Sequence, residues 1–103
     1  MRTATLAEHR CDVHKRHYPT PLRVVQHHVQ PLGMGGADVV GNCVWVCDTG
    51  HYNIHRLLGK LLKGQHMVGG SKSERILAKT GYDAWVAAGK PGAPVFELWH
   101  ADA

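Results

Sequence analysis

Between positions 27 and 55 the chain sets four histidines and an asparagine in an order that leaves few folds open: the pair His27 and His28, a glycine-containing run, Asn42, then His51 and His55. His51 and His55 are four residues apart, so on a helix both rings share one face and two nitrogens can grip one cation. His27 and His28 are neighbours in a β-branched stretch over residues 23–29. On a strand they point to opposite faces, so one can bind a metal while the other faces a water. Four imidazoles and a carboxamide in twenty-nine residues point to a compact metal-dependent site.

The surrounding residues supply the elements this needs. Pro19 and Pro21 break any helix and lead into an extended segment over 22–29, in which Val24 and Val25 favour a strand. Pro31, Gly33, Gly35 and Gly36 form a loop in which the backbone can adopt positive φ. Cys43–Cys47 reads as a second strand. Asp48 or Thr49 can cap a helix over 50–63, whose apolar stripe is Ile54, Leu57, Leu58, Leu61 and Leu62, with Gly64 ending it. Ser71 and Glu74 have capping-box spacing, so a helix is expected from about Lys72 toward Gly81, with a further short helical piece at 83–88. Gly89, Pro91, Gly92 and Pro94 suggest a loop before a last strand over 95–99. Trp85, Phe96 and Trp99 are expected to cover one side of the core.

At 103 residues the chain is one domain with a marginal core, which a metal staple would help. Hydrophobic content of 44% and charged content of 19% mark it as globular. Residues 1–10 show no periodicity and read as a flexible arm; they lack the apolar stretch of a signal peptide, so an intracellular, cytoplasmic protein with no membrane span is expected. Three cysteines cannot all pair within one chain, which fits a reducing compartment. A formal charge of +4 makes phosphate backbones a natural partner.

Over residues 11–64 the chain resembles the HNH endonucleases, a family with a ββα-metal (His-Me finger) core. The residues that carry the resemblance are the His27–His28 pair, the P-L-x-x-G-G-like loop, Asn42, the short strand ending in Cys47, and His51 and His55 opening a helix. It implies an α+β fold: a small single domain with this core at 11–64 and a C-terminal helical extension, 65–103, packing on it. It further implies His28 as general base, Asn42 as the residue that bonds across the glycine-rich loop, and His27, His51 and His55 as ligands of one divalent ion. Nitrogen ligands suit zinc, nickel or manganese better than magnesium. The activity implied is hydrolysis of DNA, by default nicking, leaving a 5′ phosphate and a 3′ hydroxyl. The alternative is a non-catalytic zinc-stabilised DNA-binding or phage packaging-accessory module on the same scaffold; cleavage of RNA is a third reading.

Many HNH proteins also carry two C-x-x-C knuckles that bind a structural zinc. Here the first reads Cys11 and His14, and the second reads Cys47 followed by Gly50 where a cysteine would stand. His17 could supply a missing ligand, and buried reduced cysteines are the other reading. Arg16, Arg23, Arg56 and Lys60, with Arg10, Lys15 and Lys63, could meet phosphates, while Arg56 and Lys60 also fit the solvated side of a helix.

Overall fold

Val24 and Val25 stiffen a strand, β2 (Arg23–His28), which lies at the centre of a three-stranded antiparallel sheet. The structure is a computed structural model and describes residues 3–5, 11 and 23–92. On one edge of β2 lies β1 (Thr3–Thr5), with Thr3 opposite Val25 and Thr5 opposite Arg23. On the other lies β3 (Cys43–Cys47), with Val24 opposite Cys47, Val25 opposite Val46 and His28 opposite Cys43. β1 corrects the reading of residues 1–10 as a flexible arm at those three positions. Three residues are too few to show a period, and their pairing comes from the otherwise open edge of β2. Enclosed on both edges, β2 is buried from Val24 through His28.

β3 runs without a linker into α1 (Asp48–Leu62), and that junction overrides the expected cap. The helix starts before residue 50, and its N-cap is Cys47, whose Sγ accepts from the Gly50 N–H at 3.4 Å. Sulfur is a weak acceptor outside the usual capping set, so composition pointed to Asp48 or Thr49 instead. Asp48 sits in the first turn, where a carboxylate complements the helix dipole. Ile54, Leu57 and Leu58 are buried, and Leu61 and Leu62 half-buried, as the stripe requires.

α2 (Lys72–Ala87) is one continuous helix rather than two pieces divided near Gly81. Its capping box is complete: Glu74 N–H donates to Ser71 Oγ at 3.1 Å, and Ser71 N–H donates to Glu74 Oε1 at 2.6 Å. Glu74 is nonetheless only 2% exposed, and its Oε2 accepts from Asn53 Nδ2 at 3.1 Å, which ties the start of α2 to α1. The glycine that composition reads as a breaker is a contact point instead. A Cβ at Gly81 would lie 2.1 Å from the carbonyl oxygen of Val29, so the missing side chain lets α2 lie against the end of β2. Ala78 and Trp85, on the same face, are buried.

Beyond α2 the chain returns to the glycine-rich loop. Trp85 Nε1 donates to the Pro91 carbonyl at 3.0 Å, and a Cβ on Gly35 would meet the Pro91 ring at 2.4 Å. The expected strand at 95–99, with Phe96 and Trp99, lies outside the described residues. The fold is α+β, with one core built from Val24, Val25, Met34, Val46, Ile54, Leu57, Leu58, Ala78 and Trp85, and with Cys11 and Cys47 buried among them. Among the described residues no helix is long and apolar enough to cross a membrane.

Gly81→Ala separates packing from propensity. Alanine favours an isolated helix by about 1 kcal/mol. Here the added methyl must displace Val29, and overpacking costs about 1–3 kcal/mol, so net destabilisation is expected in urea unfolding. A variant more stable than the parent would show that α2 does not seat against Val29.

Candidate metal centre

The alternation of β2 sends His27 to the sheet face covered by α1, and the i, i+4 spacing brings His51 and His55 to meet it. His27 is fully buried, and His51 and His55 are each 4% exposed. The rings pack edge to face, with centroids 5.4 Å apart for His27 and His51, 5.0 Å for His27 and His55, and 4.5 Å for His51 and His55. One ligand nitrogen from each lies within 4.8 Å of the others, and the Nε2 atoms of His51 and His55 are 2.9 Å apart. Nitrogens bound to one ion at about 2.0–2.1 Å stand roughly 2.9–3.4 Å from each other at right-angled to tetrahedral geometry, so this pair is already spaced for a shared cation. The three residues can hold a metal ion.

His28 leaves the opposite face and is 4% exposed. Its Nε2 meets Asp38 Oδ1 at 2.9 Å, and its Nδ1 is buried with no hydrogen-bond partner among the described residues. A carboxylate on Nε2 favours the tautomer protonated there, which leaves the lone pair on Nδ1. Asn42 accounts for how Asp38 reaches this position. Its Oδ1 accepts from the Gln30 N–H, and its Nδ2 donates to the Gln30 and Ala37 carbonyls, each at 2.9 Å. The Val29 N–H donates to the Asn42 carbonyl at 2.8 Å. One carboxamide thus closes the loop after β2 and fixes Ala37, whose neighbour is Asp38.

Sequence reasoning missed Asp38. An aspartate after a glycine pair reads as a turn residue, and only the folded loop reveals that it returns to His28. It also missed the burial of Glu74, because a capping box ordinarily sits at the surface. Cys43 stands opposite His28 in the register and is half-buried.

Cys11 and Cys47, the first and last sulfurs of the expected knuckles, do come together. The Cys47 N–H donates to Cys11 Sγ at 3.1 Å. The hydrogen bond between the two thiols, with burial, pushes the Cys47 thiol well above its ordinary range, so it is neutral at physiological pH. His14, His17 and Arg16 lie outside the described residues, and Arg23 opens β2 without a described side chain. Arg56 is half-buried and donates to the Val68 carbonyl at 2.7 Å, tying α1 to the segment before α2; Lys60 is half-buried. In comparisons with known proteins, no family model, no curated protein and no solved structure matches the chain.

If the imidazole cluster binds one ion, His51→Ala and His55→Ala should each weaken zinc binding to the metal-stripped protein by at least about tenfold, since even supporting groups around a metal carry that much. Calorimetric titration checks it. Isotherms matching the parent would reduce the pair to core packing.

Proposed function

We propose that this chain is a metal-dependent endonuclease of the HNH kind, hydrolysing phosphodiester bonds in DNA and by default nicking one strand. The observation that supports this reading is the division of labour between neighbours: His27 joins His51 and His55 around one potential ion position, while Nε2 of His28 is held by Asp38. These groups arise from consecutive residues at the end of β2, so one phosphodiester lying across that end can meet both.

In this mechanism His27, His51 and His55 would hold the ion, and Asn42 and Asp38 position the base. A divalent cation bound there supplies charge stabilisation at the phosphate and at the departing 3′ oxygen. His28 takes a proton from the attacking water through Nδ1, while Asp38 stabilises the imidazolium that results. The water oxygen bonds to phosphorus as the bond to the 3′ oxygen breaks, giving a 5′ phosphate and a 3′ hydroxyl. Three imidazoles favour zinc, nickel or manganese over magnesium. Lys60, Arg16 and Arg23 are the proposed phosphate contacts.

Cys11 and Cys47 would share a structural zinc with His14 or His17. The deep burial of the imidazole cluster favours a second reading, because structural metal sites are closed and catalytic ones keep an open position. On that reading the chain is a zinc-stabilised DNA-binding module, or an accessory to DNA packaging, without cleavage.

Supercoiled plasmid incubated with metal-stripped protein and a series of divalent ions separates the two. The endonuclease reading expects open circles in a metal-dependent manner. It also expects His28→Ala to lower the rate by about 10²–10⁴ while leaving metal affinity and folding near those of the parent. Undiminished cleavage by a folded His28→Ala protein would remove His28 as base, and binding without any cleavage would favour the accessory module.

A further inference from the structure

The sheet face turned away from α1 carries a second donor set. Cys43 stands directly opposite His28 in the β2–β3 register, so the two side chains leave the same face as adjacent cross-strand neighbours. Asp38, delivered by the Asn42-closed loop, brings its Oδ1 to 2.9 Å from His28 Nε2. One donor atom from each of His28, Asp38 and Cys43 lies within 4.8 Å of the others. His28 is buried, Cys43 half-buried, and the Asp38 side chain is 53% exposed, so solvent reaches the group past the carboxylate.

We propose that His28, Asp38 and Cys43 form a second metal site, one that takes zinc, and that filling it switches off the reaction by removing the base. The switching rests on the endonuclease reading; the binding does not. Imidazole, carboxylate and thiolate are the three donor types zinc uses, and three protein ligands leave a fourth position for water. The thiolate distinguishes this site from the imidazole cluster. Soft sulfur selects zinc over manganese or magnesium, whereas imidazoles tolerate manganese. A hard ion therefore enters only the first site, and zinc enters both. On binding, the Cys43 thiol gives its proton to solvent, the proton on His28 Nε2 moves to Nδ1, and Nε2, which faces Asp38, donates its lone pair to the ion. With Nε2 bound and Nδ1 protonated, the imidazole has no lone pair left to accept a proton from water.

Cobalt(II) reports the site directly, because a cobalt–thiolate bond gives a near-ultraviolet charge-transfer band that an all-imidazole site lacks. Titration of metal-stripped parent protein should show a step carrying that band. His51→Ala should keep the step, Cys43→Ser should lose it, and Asp38→Asn should weaken it by about tenfold or more. Circular dichroism verifies folding, with Cys43→Ala as the second variant should serine perturb the strand. A Cys43→Ser titration superimposable on that of the parent would assign the band to Cys11 and Cys47 and overturn the proposal, as would the absence of any thiolate band from the parent.

The switch is read separately, as the ratio of plasmid cleavage in manganese with and without added zinc, within each protein. The parent should lose on the order of 10²-fold, the cost of losing a general base, and Cys43→Ser distinctly less. Equal loss in both would overturn the switch alone. If no protein cleaves DNA, the endonuclease reading falls, and the cobalt titration still decides whether the metal site exists.

Discussion

Three imidazoles packed against one another inside a small core are the constraint around which this fold is arranged. A ring nitrogen removed from water without a good partner costs about 1–3 kcal/mol, and a whole domain has only about 5–15 kcal/mol of stability. Such a cluster survives only if its nitrogens satisfy one another or share an ion, and a shared ion adds its binding energy to folding. The strand alternation that buries His27, the helical spacing of His51 and His55, and the direct passage of β3 into α1 all bring these rings together.

β2 also acts as a partition. His27 and His28 are joined by one peptide bond, yet the sheet places them in different surroundings: one among imidazoles beneath α1, the other beside a carboxylate and a thiol. Two kinds of chemistry can therefore occupy one short segment without their side chains competing for space. The loop closed by Asn42 completes the second environment, since the carbonyl of Ala37 is held while Asp38 turns back to the strand.

Local chemistry made part of this legible. β-branched residues marked β2 and β3, the leucine stripe marked α1, and the serine–glutamate spacing marked the start of α2, because each depends on a few neighbouring positions. What escaped depends on contacts between distant positions. Thr3–Thr5 becomes a strand only because β2 offers an edge. Gly81 stays helical because Val29 lies against it, and Cys47 caps α1 because no linker separates strand from helix. In the candidate site, the spacing of His27, His51 and His55 already encoded their convergence, whereas the partnership of His28 with Asp38 depends on the path of a loop that spacing does not specify.

The return of the chain to the glycine-rich loop bears on when the site can form. Pro91 packs on Gly35, and a Cβ on Gly92 would lie 2.2 Å from the Gly33 carbonyl oxygen, so the loop carrying Asp38 is completed by residues that follow the last described helix. During synthesis the N-terminal part of a chain emerges first. The sheet and α1 have left the ribosome well before the loop beside His28 gains its last packing partners, which come only once residue 92 has emerged. The packing around the two faces of one strand is thus completed at different moments in the life of the chain, with the surroundings of His28 waiting on residues 91 and 92.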